Sequence, residues 1–457
     1  YVSTTFILCS LLYTNVKECI EYQHTWQAHA TYDFEEIIEI DENGEQRVVY
    51  GISTPNQLAG MFSHEKVVNA ADNHTTKSTL TSKTYRLTNN INLSTSSKVN
   101  WTPSDLSKGY TFDGNSFVVS GIKIDYDGTP QTQYLGFIKE NYGIIKDVTF
   151  KDVFFDDGST GMEKDIFVGT ACCKNYGTVQ NISVVGSSDI NSSCYDGADR
   201  EVGGIVGYNY SGGTIENCIN YASISYGKHI GGICGRNEGT VQNCFTYGSV
   251  NSKDDVCVRV GGIVGESNAG SVVKLCVNYG TITGNNTTNY DCSAGGIVGY
   301  SNSTISDTYN KAAIYAYAKN NNNYSNPSQE NKGHVTVYND IGRFNMEMWL
   351  YFGGGSSYIS RNTTYAYAGG IVGYSSYTVN NSYNIGNVSG GSDYDERSIA
   401  VKGVVDYANT DDDSRTYYAY RYHTFARYYS GINGNRNAST SNCYSNNRYL
   451  YDIIIYW

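Results

Sequence analysis

The acidic residues of this 457-residue chain are the first to test for chemistry, because cleaving a polysaccharide takes paired carboxylates held on one face. They stand at Asp147 and Asp152, at Asp156 and Asp157, and at Asp254 and Asp255. None recurs in register with a basic partner, as a glycosidase pair or a lyase requires. The seven histidines form no HExxH and no metal-ligand spacing. Asp125-Tyr126-Asp127-Gly128 and Asp411 to Asp413 offer oxygen donors to calcium, but the EF-hand pattern is absent and solvated turns explain both. No catalytic residue, metal or cofactor is therefore expected, and the chain is read as a non-enzyme.

Cysteine is the other reactive type. Twelve cysteines in no metal-binding pattern point to an oxidising compartment. Cys257 and Cys292 each precede a glycine word described below and form the first candidate disulfide. Cys218 and Cys244 form a second, in a column shared with Cys276, and Cys9 and Cys19 a third. Cys172 and Cys234 lie two units apart, too far to bond. The competing reading makes the column cysteines small buried residues that stay free.

The element that must position all of these is a repeat. GGIVG or GGICG occurs from Gly203, Gly231, Gly261, Gly295 and Gly369, with weaker copies around Gly136, Thr170 and Gly403. Anchored on the second glycine, the spacings are 34, 34, 28, 30, 34, 74 and 33 residues. A fixed period in this range means stacked units, and the 74 means a hidden or displaced copy. Between the words lie short runs of Ile, Val, Thr and aromatics broken by Gly, Asn and Ser, which is strand-and-turn chemistry. No 3.6-residue periodicity occurs within the repeats, which excludes helical repeats, and the units are short for four-stranded blades. The glycines serve corners, since no helix follows to make a phosphate loop.

Aligned, the units give columns. Four residues after each anchor stand Glu140, Lys174, Tyr208, Arg236, Glu266, Tyr300, Tyr374 and Tyr407, an outward ladder. Next come Asn141, Asn175, Asn209, Asn237, Ser267, Ser301 and Ser375, whose amides can bond along the stack. Phe137, Ile205, Ile233, Ile263, Ile297 and Ile371 form the expected core column.

The words GGIVGYN, GTIENC and NYASI, with the lead-in ISTPNQLAGMF from Ile52 and YTFDGNSFVVSGIKI from Tyr110, resemble the GLUG-motif repeats of bacterial surface proteins and adhesins. The resemblance covers roughly residues 50 to 410. It implies an exported, right-handed parallel β-solenoid of adhesive or structural role, and supplies no catalytic residues. The expected fold is all-β, with coils of about 28–34 residues. Residues 1–50 form an N-terminal extension and a capping hairpin through Asn43-Gly44. Residues 51–135 form the first coils and 136–310 the regular solenoid. An irregular insertion follows over 311–367 (its core 315–367), and 368–457 hold the last coils and a Tyr-rich cap.

Net charge of −12 and a pI near 5.1 argue against nucleic acid and anionic membrane as partners. No apolar run reaches the length of a membrane span. The chain starts at Tyr1, so it is expected to be processed or partial, and TTFILCSLL lacks the basic residues of a signal peptide. With 44 tyrosines, the surface suits glycans or other protein copies; codon bias explains that composition equally. Asn73, Asn191, Asn285, Asn323, Asn362 and Asn437 are candidate glycosylation sites in loops. The apolar termini (Phe6, Ile7, Leu8; Ile453, Ile454, Ile455), with Met346 and Trp349 of the insertion, are candidates for head-to-tail assembly. An extracellular or cell-surface filament subunit, a single-molecule adhesin binding glycans or host ligands, and a polysaccharide-binding or polysaccharide-degrading protein all remain open.

Overall fold

The computed structural model describes residues 25–40, 43–64, 82–94, 100–125, 132–156, 165–186, 189–191, 200–225, 227–252, 259–286, 292–319, 333–337, 345–347, 364–375, 377–394 and 397–401. It also describes four two-residue strands between 426 and 451. The chain is a parallel β-solenoid. Each regular coil runs through four faces in a fixed order, shown by the coil that holds Arg200–Gly203 (face I), Val206–Asn209 (face II), Thr214–Glu216 with Ile219–Asn220 (face III) and Ser223–Ser225 (face IV). Face II stacks eight strands, from Ser104–Leu106 to Val372–Ser375. At about 4.8 Å per coil, these span about 34 Å.

The register follows the aligned columns. Glu140, Lys174, Tyr208, Arg236, Glu266, Tyr300 and Tyr374 are consecutive partners on face II, and so are the Asn and Ser of the next column. Tyr407 and the weak copy at Gly403 lie outside the described residues. Arg397–Val401 just before them pairs antiparallel with Val388–Tyr394, so a hairpin stands where a further parallel rung was expected. The 74-residue gap is an insertion, since Cys292–Gly295 pairs directly with Thr364–Gly369. Ile314–Lys319 is itself a regular rung, so the insertion departs after Lys319 and has rejoined by Thr364. The largest length variation between coils falls at the passage from face IV to face I, and smaller, two-residue differences occur at the turns on either side of face III.

Why these sequences turn where they do is visible in two buried amide ladders. Asn141 Nδ2 donates to Asn175 Oδ1 at 2.7 Å, Asn175 to Asn209 at 2.8 Å, and Asn209 to Asn237 at 2.8 Å. Asn141, Asn175 and Asn237 also accept from the glycine N–H two residues on, closing the turn between faces II and III. The second ladder, at the end of face III, runs Asn278 to Asn310 at 2.9 Å and Asn310 to Asn384 at 2.8 Å. It contributes to the doubled glycine, together with the next coil's glycine carbonyl, which a Cβ on Gly204 or Gly296 would meet at 2.3 or 2.1 Å. A Cβ on Gly204 would lie 2.7 Å from the Asn220 amide, and one on Gly296 2.5 Å from Asn310 Cγ. Where the anchor is Thr170 the facing residue is Val184, and the methyl-bearing side chain is accommodated.

A third column holds the left-handed backbone that splits face III. Asp147, Asn181, Asn217, Asn243, Leu275, Asp307 and Asn381 stand in register with φ between 46 and 56°. Asn and Asp tolerate this region best. The residues that follow, Cys218, Cys244 and Cys276, point into the core and each thiol donates to the carbonyl two residues back (3.1–3.2 Å). Ser382 does the same from the same column.

The N-terminal end is closed. The Asn43-Gly44 hairpin forms as expected, with β1 (Glu35–Ile40) antiparallel to β2 (Gln46–Ile52) and β2 parallel to the first coil. It lengthens face III, whereas the core end is covered by a 3-10 turn (Trp26–His29), α1 (Pro55–Gly60) and an aromatic cluster. Thr54 caps α1 by accepting from Gln57 N–H at 3.2 Å. In the cluster, His64 sits among Phe34, Tyr50 and Tyr85, with Nδ1 2.9 Å from the Tyr85 hydroxyl.

Two outcomes are expected. Thr246 interrupts the second ladder between Asn220 and Asn278, and its buried hydroxyl has no hydrogen-bond partner. Thr246→Asn therefore joins the two segments and stabilises the protein by about 1 kcal/mol, read as a rise in Tm. His64 is held below its ordinary value of 6.5 by burial, against a smaller opposing effect of Glu36. A depressed histidine makes the unfolded chain bind more protons, so its contribution is complete above pH 6.5 and is lost as pH falls toward the lower folded value. Wild type should lose stability relative to His64→Phe over that window, measured by urea unfolding at several pH values.

Candidate functional site

The outward columns of faces I and II converge at the glycine corner. On face I the column runs Tyr134, Phe167, Glu201, His229, Arg259, Ser293 and Tyr367. From Glu201 onward these stand three residues before each second glycine. Facing them are Glu140, Lys174, Tyr208, Arg236, Glu266, Tyr300 and Tyr374 of face II. A Cβ on Gly203 would strike the Val206 carbonyl, so these glycines let the two columns close into one seam.

At the centre of the seam is a buried charged group. His229 Nδ1 lies 2.9 and 3.0 Å from the two Glu201 carboxylate oxygens. Its Nε2 lies 3.0 Å from Glu266 Oε2, a close contact outside hydrogen-bond geometry. Arg259 pairs with Glu266, and Arg236 Nη1 approaches Glu201 at 3.7 Å. Glu201, His229 and Glu266 are all buried. Aromatic faces flank the charges, with Arg236 5.1 Å from the Tyr208 ring centroid and Arg259 4.1 Å from that of Tyr300. Burial and a hydrogen bond to Glu238 (2.5 Å) raise the Tyr208 hydroxyl well above its usual range. Further up the seam, Lys174 stands 4.3 Å from the Phe167 ring and 3.8 Å from Glu140.

Two carboxylates, an imidazole and two guanidiniums meet across three coils, while Glu266 Oε2 and Arg236 Nε are buried without a hydrogen bond. This arrangement locks the register of adjacent coils. The Glu140–Lys174 pair forms as the alignment implies, but Arg236 and Glu266, though adjacent, turn to Glu201 and to His229 and Arg259 instead. Glu201, His229 and Arg259 were missed. The same alignment holds them in one column, but periodicity does not say which two outward columns meet.

The other candidates separate as follows. Asp147 pairs with Lys146 (3.0 Å) and accepts from Asn181 (2.7 Å), bonds that hold its carboxyl below the usual range against burial, the largest effect, which raises it. Asp152 occupies a left-handed turn and Asp125 and Asp156 are adjacent rungs of face IV. Asp157, Asp254, Asp255, Asp127 and Asp411 to Asp413 lie outside the described residues. Among the described residues no His, Cys, Asp and Glu cluster could hold a metal.

The cysteine expectation is corrected at one pair. Cys218 and Cys244 are free, buried thiols, as are Cys172, Cys173, Cys234 and Cys276; Cys292 is buried at the start of the face I strand Cys292–Gly295. In-register rungs hold their Cα–Cβ bonds parallel, about 4.8 Å apart, whereas a disulfide needs Cβ atoms nearer 3.8 Å. Burial raises the Cys244 and Cys276 thiols well above their ordinary value, so both are inert. Cys257, Cys9 and Cys19 lie outside the described residues.

Of the glycosylation candidates, Asn285 is not in a loop. It lies in the face IV strand Ile282–Asn286, which pairing with Ile314–Lys319 lengthens, and its Oδ1 is buried. Asn191 ends the face IV strand Asp189–Asn191. Asn73, Asn323, Asn362 and Asn437 lie outside the described residues. Of the assembly candidates, Met346 lies in Asn345–Glu347, antiparallel to Gly333–Val337. Phe6, Ile7, Leu8, Trp349, Ile453, Ile454 and Ile455 lie outside the described residues.

Comparison with known proteins agrees with this geometry. The family model described as the GLUG motif matches residues 199–224, which is one coil through all four faces. The chain thus carries a GLUG motif. No curated protein matches it. A solved structure from Bacteroides ovatus, described as a candidate immunoglobulin A1 protease, is similar at 20% identity and a TM-score of 0.41. That similarity covers 64% of this chain and 86% of that one. No helix among the described residues is long and apolar enough to cross a membrane.

Removing the centre of the seam leaves two buried carboxylates facing each other. His229→Ala is expected to cost about 3 kcal/mol in chemical denaturation. Ser293→Ala in the same column is expected to cost less than about 1 kcal/mol.

Proposed function

We propose that the chain is an extracellular adhesive protein, a β-helical rod that makes its contacts through its sides. The observation that carries this reading is where exposed aromatic surface lies. Tyr221, Tyr247 and Tyr279 form an exposed column on the rod's flank, 48, 44 and 39% accessible, with ring centroids 4.8 Å apart. The described ends are built differently. At one end β1 presents Glu35 and Glu36 beside the exposed Ile38 and Ile40, with Glu39 paired to Arg47 and Arg86, and charge on an edge strand opposes strand addition. At the other, antiparallel Arg397–Val401 on face IV and Asn345–Glu347 on face I interrupt the parallel order that an end-to-end filament would continue, while face III adds one more parallel rung at Thr440–Ser441 and Tyr444–Ser445. The extracellular assignment rests on the GLUG motif and its likeness to surface-protein repeats. The near-parallel rings cover one another's faces and present their edges, which disfavours sugar rings stacking along the column.

The test is adhesion of protein-coated beads to cell surfaces, together with negative-stain electron microscopy of dilute protein. The expected result is bead attachment and isolated short rods. Beads that do not attach would overturn the reading, and fibres with an axial repeat of one rod would replace it with a filament subunit.

A further inference from the structure

On face III the tyrosine column has neighbours whose order along the rod matters. Beside it runs a second outward column, Ile219, Phe245, Val277, Tyr309 and Tyr383. Beyond the left-handed turn runs a third, Glu216, Gln242 and Lys274 on the same three coils as Tyr221, Tyr247 and Tyr279. The apolar strip is thus bordered by a negative charge one coil above its centre and a positive charge one coil below. Gln242 Nε2 donates to Glu216 Oε2 at 2.8 Å, which holds the carboxylate against the middle coil.

That arrangement is self-complementary under one symmetry. A two-fold axis through the Gln242 coil, perpendicular to the rod and lying in the contact plane, reverses the coil order and keeps each column opposite itself. Glu216 then meets Lys274 of the second copy, and Lys274 meets its Glu216. Tyr221 meets Tyr279, Ile219 meets Val277, and Phe245 and Tyr247 meet their own copies. A two-fold along the rod would instead reverse the order of the columns, setting Glu216 against Tyr221 and Lys274 against Tyr279 and leaving both charges without a partner.

We infer that this flank binds a second copy of the chain, side by side and antiparallel, in a closed dimer. The inference deepens the adhesive reading, because antiparallel pairing suits rods that project from facing surfaces. Three coils span about 10 Å of the rod, so the contact is small and the affinity is expected in the micromolar range.

Sedimentation velocity of the full chain over a concentration series is the test. Wild type should pass from monomer to dimer and stop there. Glu216→Lys alone sets lysine against lysine, and Lys274→Glu alone sets glutamate against glutamate. Each is expected to weaken the dimer at least about tenfold, with an unchanged far-ultraviolet spectrum. The two single variants, mixed, should form a heterodimer, and the double variant E216K/K274E should recover the wild-type affinity. A wild type that stays monomeric would overturn the inference. So would single variants that dimerise normally, a mixture that does not associate, or growth beyond the dimer. Bead adhesion with a monomeric protein would leave the adhesive reading standing while refuting this contact.

Discussion

A stack of parallel coils must turn corners against its own interior, and every corner leaves peptide groups that water cannot reach. Here asparagine does that work. One amide closes the local turn and, with its remaining donor, reaches the amide of the next coil, as from Asn141 through Asn175 and Asn209 to Asn237. Leaving such a group unpaired when buried costs about 1–3 kcal/mol, so the ladder specifies register as well as shape. Where serine replaces asparagine at Ser301, its hydroxyl still serves the local turn, bonding Ser303 N–H and carbonyl.

Much else follows from the amide positions. The second glycine is small because a Cβ there would strike the carbonyl of the next coil's glycine, with the face III side chain (Asn220, Thr246, Asn278 or Asn310) close behind, and the first is small because the outward seam closes there. The asparagine corner takes two extra residues after Asn209 and Ser267, and the largest variation in coil length falls at the passage from face IV to face I. The insertion after Lys319 enters there without disturbing the rungs on either side. The seam then gathers Glu201, His229 and Glu266 from three consecutive coils, a cross-brace whose members belong to different repeats.

The fold was legible because each coil repeats one word and the columns fall out of a simple alignment; the Asn141 and Glu140 columns are the observed ladders. The second amide ladder was also present, in the words INY, VNY and YN, but its meaning depends on contact across the core with the glycine corner. Glu201 and His229 escaped for a related reason, since one-dimensional periodicity assigns a residue to a face and not to the face it meets. The expected Cys218–Cys244 disulfide failed on direction. Adjacent rungs bring the Cα atoms close enough while keeping the side chains parallel. The loop assignment of Asn285 failed because its strand is extended by the longer rung at Ile314–Lys319.

The axial amide bond carries the account, and Asn209 at the middle of its ladder is the place to measure it. Asn209 donates to Asn237 and accepts from Asn175. Serine already occupies this column at Ser267, Ser301 and Ser375, so Asn209→Ser retains a group able to serve the turn and removes the bond along the stack. Denaturant unfolding of Asn209→Ser should show a loss of about 2 kcal/mol or more, because the Asn175 donor and the Asn237 acceptor are both left buried and incompletely paired. A variant as stable as wild type would show that the coils hold their register without the ladder.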